Sequence, residues 1–187
     1  MKKDLIEKIE ASGYEVEIVR KPGPIYKIKI SLDGKSLERE FKTGKKITIE
    51  KQDNFIVVKA IKGTKKEKRL IKTIKSHLQN MITGLKQPWL YKLEICYSHF
   101  PMTVTLDKTN KQIIIKNFFG ENTPRYAKLL DGVDVEIKGN IIEVKSPDKE
   151  LAGRQAALIE QATRITNRDR RIFQDGIWII EKAGKPI

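Results

Sequence analysis

The chain has 187 residues, 39% of them hydrophobic, which suffices for one domain or for two small domains with ordinary cores. It carries 38 Lys and Arg against 24 Asp and Glu, a formal net charge of +14, so we expect an anionic partner: nucleic acid first, an acidic membrane second. The single cysteine, Cys96, excludes an internal disulfide, and no stretch approaches the roughly 20 apolar residues of a membrane span. These features predict a soluble, intracellular protein without a membrane partner.

Strand patterns occupy the first third of the chain. Apolar and polar side chains alternate, Asp33-Gly34 is a hairpin turn signal, and Gln52-Asp53-Asn54 marks a second turn. Such alternation is typical of an antiparallel sheet with one face in solvent. The predicted strands are 14–19, 26–30, 37–41, 46–49 and 55–60.

The hydrophobic period then changes from two to between three and four. Between Lys66 and Leu85 this spacing predicts an amphipathic helix that ends near Gly84 and Pro88. Its beginning and outer face are strongly basic, which indicates either a solvated helix face or a secondary contact with an anionic partner. The basic residues are Lys62, Lys65, Lys66, Lys68, Arg69, Lys72 and Lys75.

The second half repeats this plan. Strands are predicted at 91–97, 102–106, 112–118, 133–138, 141–145 and 177–180. A helix follows Asp148, its predicted N-cap, with an apolar stripe of Leu151, Leu158, Ile159, Ala162 and Ile165. Each half thus has a hairpin followed by one helix, at an offset of about 86 residues. We therefore predict an α+β fold of two tandem duplicated domains, 1–88 and 89–187, each an antiparallel sheet with a helix packed on one face.

The segment after the second helix has no counterpart in the first half. It reads RITNRDRRIFQDGIW and holds four of the chain's nine arginines. Arginine presents a planar fork of donors that grips phosphate oxygens in pairs and also stacks on bases. Phe173 either stacks on a base or anchors the loop. The segment predicts a site for structured RNA that comprises Arg164, Asn167, Arg168, Arg170, Arg171, Phe173 and Gln174, with Lys65, Lys66 and Lys68 as a secondary contact.

The sequence offers little for catalysis. Two isolated histidines, His77 and His99, give no zinc-binding spacing, and no nucleotide-binding or nucleophile motif occurs. Asp169, Asp175 and Glu181 could in principle hold magnesium for a nuclease, although Asp169 is more simply a salt partner of the adjacent arginines. We expect no catalytic residue, metal site or cofactor, and no small-molecule substrate. The alternatives are a basic RNA-processing enzyme, such as a nuclease, and a basic protein-interaction module.

The second half also resembles a known family, the L-six family of large-subunit ribosomal proteins (L-nine in eukaryotic nomenclature). The match is carried by Gly132 to Glu136, the turn at Gly139-Asn140, Pro147 to Leu151 and the segment from Asn167 to Ile177. In addition, Tyr97-Ser-His99-Phe-Pro101-Met resembles the opening of the second domain in the archaeal and eukaryotic branch. The first half matches more loosely, as hairpins in the expected order.

This resemblance implies a structural role without catalysis. The protein would bind large-subunit ribosomal RNA near the stalk base, where translational GTPases dock, and would contact neighbouring large-subunit proteins there. It would be cytoplasmic and ribosome-bound. The arginines of the C-terminal segment would contact phosphates or bases, and Asn167 and Gln174 would make polar contacts.

Overall fold

A computed structural model describes residues 4–98, 100–169 and 171–187. Its backbone falls into two units, Met1–Gln87 and Pro88–Ile187. Among the described residues, every pair of neighbouring strands is antiparallel, and each unit contributes one α-helix.

The first unit contains two three-stranded sheets and one helix. Their strand orders are β2-β3-β4 and β1-β6-β5. Side chains alternate between the buried face and solvent, as in β3, where Tyr26, Ile28 and Ile30 enter the core. The elements are β1 (Leu5–Glu10), β2 (Glu15–Lys21), β3 (Ile25–Leu32), β4 (Lys35–Lys42), β5 (Ile47–Gln52), β6 (Phe55–Ala60) and α1 (Lys65–Lys86).

Helix α1 begins at a capping box. The Thr64 side chain accepts a hydrogen bond from a first-turn amide, and the Thr64 amide donates to the Glu67 carboxylate at 2.7 Å. The predicted apolar stripe then packs on the sheets, with Ile71, Ile74 and Leu78 at most 1% exposed. The sequence therefore located this helix and its buried face correctly.

The second unit has a three-stranded sheet, ordered β10-β9-β8, and a five-stranded sheet, ordered β11-β12-β7-β13-β14. A single 3₁₀ turn, Phe118–Gly120, lies between β9 and β10. The elements are β7 (Trp89–Cys96), β8 (Thr103–Asp107), β9 (Gln112–Lys116), β10 (Arg125–Lys128), β11 (Asp134–Lys138), β12 (Ile141–Ser146), α2 (Lys149–Ala162), β13 (Gly176–Lys182) and β14 (Lys185–Pro186).

Helix α2 has the predicted N-cap, because the Asp148 carboxylate accepts a hydrogen bond from the Glu150 amide at 2.8 Å. The predicted apolar stripe was wrong in part. The buried face consists of Ala152, Gln155, Ala156 and Ile159; Leu151, Leu158 and Ala162 are only partly buried, and Ile165 lies beyond the helix. Small residues let the helix approach the sheet closely, and a buried glutamine interrupts the apolar pattern.

The predicted α+β fold is confirmed, and the structure refines it by dividing the strands of each unit between two sheets. Neither α1 nor α2, the two α-helices of the described residues, is long and apolar enough to cross a membrane.

Candidate nucleic-acid interface

The arginine loop, residues 163–175, connects α2 to β13 and is fixed at both ends. At its start, the Thr163 hydroxyl accepts a hydrogen bond from the Ile177 amide at 2.9 Å and donates one to the Glu160 carbonyl at 3.2 Å. At its end, the buried Asp175 carboxylate accepts one from the Ser98 amide at 3.1 Å. Buried polar groups with such partners favour one loop conformation.

A tight turn shapes the middle of the arginine loop. The Asp169 carboxylate accepts a hydrogen bond from the Arg171 amide at 2.9 Å, and the Asp169 carbonyl accepts one from the Phe173 amide, also at 2.9 Å. The Gln174 side-chain amide donates to the Arg171 carbonyl at 3.3 Å. Asp169 thus organises the backbone that carries the arginines. Arg170, one of the predicted site residues, lies outside the described residues.

Arg168 lies over two aromatic rings. Its guanidinium carbon is 4.9 Å from the ring centre of Phe173 and 5.6 Å from that of Phe119. The two ring centres are 5.8 Å apart, and Phe173 is half-buried. Cation–π contacts of this kind hold a guanidinium in place while its N–H groups remain available for other acceptors. Phe173 therefore makes the contacts expected of a loop anchor, and its other expected role, stacking on a base, stays a prediction.

Arg125 braces the arginine loop from β10, and the sequence did not reveal this. Its Nη1 donates to the carbonyls of Ala162 and Arg164, both at 3.2 Å. Its Nε and Nη2 donate to the two carboxylate oxygens of Glu121 at 2.8 and 2.6 Å, and its guanidinium lies 4.2 Å from the ring centre of Phe118. The bonds from Arg125 lower the pKa of Glu121.

The position of Arg125 has a clear electrostatic reason. The last turn of α2 contains no basic residue, and the C-terminal end of a helix carries unpaired carbonyls and a partial negative charge. Arg125 supplies the missing cation from another strand. Because 37 residues separate it from Ala162, no local sequence pattern could have indicated the contact.

Five polar side chains of the arginine loop that were predicted to contact RNA face solvent. Arg164, Arg168 and Arg171 are exposed, and Asn167 and Gln174 are exposed as well. Asn167 has a φ of 59°, a left-handed conformation that asparagine adopts more readily than most residues. The loop therefore presents guanidinium groups from a backbone held by its own hydrogen bonds, an arrangement suited to gripping phosphate oxygens.

The three carboxylates considered for a nuclease each have another partner. Asp169 stabilises the turn, Asp175 is buried against the Ser98 amide, and Glu181 lies 2.8 Å from the Lys92 ammonium. Within residues 4–98, 100–169 and 171–187, no three His, Cys, Asp or Glu side chains are grouped so that they could hold a metal ion. His99 is outside these ranges. Within the described residues, the nuclease alternative therefore has no group of side chains that could hold a metal ion.

The predicted secondary contact lies on α1, in the first unit. Lys65, Lys66 and Lys68 are all exposed. Helix geometry puts Lys65, Lys68, Arg69 and Lys72 on one face, since they are spaced three and four apart, whereas Lys66 lies about 100° around the axis. We call these four residues the α1 basic stripe.

Comparison with known proteins gives a family match over most of the chain. The family described as Ribosomal protein L6 matches twice, at residues 11–87 and 100–176. Two successive matches in one chain confirm the tandem duplication predicted from the repeated hairpin and helix.

Curated relatives belong to the same family. Three of them are archaeal proteins named Large ribosomal subunit protein uL6. The chain is 43% identical to that of Desulfurococcus amylolyticus over 79% of this chain and 80% of the relative. It is 40% identical to that of Methanococcus vannielii over 95% and 89%, respectively. Identity to the Nanoarchaeum equitans protein is 46%, over 75% and 77%.

Proposed function

Because the chain belongs to the ribosomal protein L6 family, we propose that it is a structural constituent of the large ribosomal subunit that binds large-subunit ribosomal RNA. The relatives' shared name supports the subunit, and the net charge of +14 supports an RNA partner. The finer part of the proposal places the contact near the stalk base and the docking region of translational GTPases, beside neighbouring large-subunit proteins. The protein would accordingly be cytoplasmic and ribosome-bound.

The observation that carries the proposal is the braced arginine loop. Its exposed arginines stand on a backbone fixed by Thr163, Asp169 and Asp175, and Arg125 holds its start. A loop backbone already held in one conformation loses little conformational entropy when it binds a folded RNA element, so more of the interaction energy remains as affinity. Counterion release would supply affinity, and the arginine forks would set the register. No step of this mechanism requires a cofactor.

The α1 basic stripe would add a weaker, less specific contact. Its lysines are flexible point charges without an aromatic or carbonyl brace comparable to that of Arg168 or the arginine loop, and they would mainly neutralise phosphates. Replacing Lys65 and Lys68 with alanine should therefore reduce the salt dependence of RNA binding by roughly 0.7–0.9 per lost phosphate contact. Lys35→Ala/Lys51→Ala, which removes the same charge from exposed strand positions of the first unit, is the control in the same salt titration.

The proposal is tested by sedimentation with large ribosomal subunits. Wild type should migrate with the subunits, and the triple variant Arg164→Ala/Arg168→Ala/Arg171→Ala should be lost from them while keeping its circular dichroism spectrum. The matched control removes three exposed lysines, Lys108, Lys128 and Lys185, and thus the same charge. Strand register places these lysines at the sheet ends opposite the arginine loop.

The outcomes test separately whether the partner is the large subunit and whether the arginine loop is the binding site. Wild type that remains at the top of the gradient would overturn the ribosomal function. Equal loss of the arginine and lysine variants would overturn the arginine loop as a specific site, because total charge would then explain binding. RNA footprints outside the stalk base would overturn only the finer location.

A further inference from the structure

The first unit contains a surface cavity of about 690 Å³ far in sequence from the arginine loop. It lies between the β2–β3 turn, residues 22–24, and the β4–β5 connection, residues 43–46. This volume falls within the roughly 300–1,000 Å³ of small-molecule sites. None of the residues predicted from the sequence to bind RNA lines it.

The cavity has an apolar floor and a basic rim. Tyr26 and Ile47 form part of the floor and are 5% and 2% exposed. Arg20, Lys21 and Lys45 stand around it, and its lining includes no acidic residue. The guanidinium carbon of Arg20 lies 5.9 Å from the ring centre of Tyr26. Lys21 is ion-paired with Glu40, which does not line the cavity. The apolar lining groups that remain exposed are Pro22 and Pro24, and together with the positive rim they fit a ligand that combines a flat apolar face with an anion.

The walls of the cavity are held rigidly. The Thr43 amide and hydroxyl both donate to the Pro24 carbonyl, at 2.7 and 3.0 Å, and join the two loops. Pro22 and Pro24 restrict the turn, and Gly23 between them has a φ of +89°, which favours glycine. The cavity is therefore a feature of the folded unit and needs little reorganisation on binding.

Gly44, in the opposite wall of the cavity, differs from Gly23 because its position does not require glycine. Its backbone does not have a positive φ, and a Cβ built there meets no atom within 4 Å. The conformation therefore does not require glycine, and the space beside it is open. A large side chain can be placed at this wall without strain in the fold.

We infer that this cavity binds one unstacked nucleotide of single-stranded or looped RNA, with the base against the exposed Pro22 and Pro24 and the phosphate at Arg20 and Lys45. Single-stranded RNA is recognised in this way, by stacking on aromatic and apolar surfaces beside a cationic track. The inference rests on the proposed RNA-binding function and adds to it a second, independent site in the first unit. RNA is favoured over an acidic peptide because the two exposed proline rings offer a flat apolar surface for stacking a base.

The test uses the full chain and a fluorescently labelled oligonucleotide of seven uridines. Affinity is measured by anisotropy at about 0.2 M salt, where non-specific phosphate contacts are weakened. Arg20→Ala/Lys45→Ala and Gly44→Leu should each weaken binding about tenfold, the scale of losing one stacked base. The charge-matched control is Lys35→Ala/Lys51→Ala, whose exposed lysines lie at the other ends of their strands.

A second readout locates the contact. With 4-thiouridine in the oligonucleotide, photocrosslinks should map to residues 20–26 or 43–48, and Gly44→Leu should reduce them. Equal weakening in the charge-matched control, or crosslinks confined to the arginine loop or the α1 basic stripe, would overturn the inference. Stronger competition by a seven-residue glutamate peptide than by unlabelled oligonucleotide would overturn it in favour of a peptide.

Sedimentation of the same variants keeps the two proposals distinct. If wild type migrates with large subunits but the cavity variants bind the oligonucleotide normally, only the cavity inference fails. If wild type does not migrate with large subunits, the proposed function fails whatever the oligonucleotide shows.

Discussion

The Thr163 hydroxyl accepts a hydrogen bond from the Ile177 amide at 2.9 Å, which joins the end of α2 to the start of β13. Thr163 is 3% exposed and Ile177 1%, so water does not readily replace this bond. The same hydroxyl donates to the Glu160 carbonyl, so one oxygen atom closes the base of the arginine loop. The exposed arginines depend on this closure for their positions.

Thr163→Val should lower the free energy of unfolding by about 1–3 kcal/mol, because it leaves the buried Ile177 amide without its acceptor at nearly unchanged side-chain volume. Urea denaturation measures the loss. Thr163→Ser, which keeps the hydroxyl, should lose less, and Thr166→Val at an exposed loop position is the control. If Thr163→Val unfolds at the same urea concentration as Thr166→Val, the hydroxyl does not close the loop.

Arg125→Lys should weaken both stability and large-subunit binding, although the charge is unchanged. Lysine cannot reproduce the fork that bonds Glu121 and the carbonyls of Ala162 and Arg164 together. Since the Arg125 side chain is 29% exposed, we expect a loss of only about 1–2 kcal/mol in urea unfolding. Large-subunit sedimentation should fall in parallel.

The control for this effect is Arg154→Lys, at an exposed position on α2. It makes the same substitution in the same unit and should change neither readout. Equal behaviour of the two variants would show that the fork of Arg125 does not brace the arginine loop.

The sequence predicted those elements whose side chains follow one period. In β3 the apolar side chains alternate without interruption, and in α1 they recur every three or four residues without interruption. In both elements, packing alone decides which residues face the core. In contrast, β1 was not predicted. It places Glu7 among its inward positions, where the carboxylate lies 2.7 Å from the Lys75 ammonium, so a polar pair interrupts the strand pattern.

The error in α2 has the same origin. Gln155 is fully buried because its side chain accepts a hydrogen bond from the Leu130 amide at 2.8 Å and donates one to the Lys128 carbonyl at 3.1 Å. Hydrophobic patterning treats a glutamine as exposed, so the predicted stripe shifted toward Leu151 and Leu158. Only the partners on β10 and just after it make this burial favourable.

The sequence predicted the charged residues of the candidate site but not the residues that hold the arginine loop in place. Clustered arginines mark the loop in the sequence, but Arg125 and Phe119 belong to segments about forty or more residues away. Their contacts with Arg164 and Arg168 arise from tertiary packing. Residues that brace a loop across such separations leave no local pattern.

Asp169→Ala tests whether this carboxylate orders the loop or performs chemistry. Losing its bond to the Arg171 amide should cost about 1 kcal/mol in urea unfolding and should weaken large-subunit binding several-fold. Asp169→Asn keeps an acceptor oxygen and should resemble wild type in both assays. A nuclease would behave differently: multiple-turnover RNA cleavage by wild type that disappears in both variants would contradict the proposed function.

Glu143 should make stability depend on pH in a defined window. Lys138 lies 2.9 Å and Lys145 3.0 Å from its carboxylate, and their hydrogen bonds lower its pKa from 4.5 to about 2. A carboxyl group with a lowered folded-state pKa stabilises the folded chain above the unfolded-state value. That contribution is lost as the pH falls from about 4.5 to about 2. Glu143→Gln should therefore flatten the acid side of the stability curve, as measured by urea midpoints at about pH 7, 4.5 and 2.

Two controls isolate this effect. Glu15→Gln removes an exposed carboxyl group from the first unit, away from Glu143 and its two lysines. It should leave the slope of stability against pH in this window closer to that of wild type. About 1 M NaCl, at which charges are screened within about 3 Å, should reduce the difference between wild type and Glu143→Gln. Parallel curves for wild type and Glu143→Gln from about pH 4.5 to 2 would show that the two lysines do not hold this carboxylate ionised in the folded state.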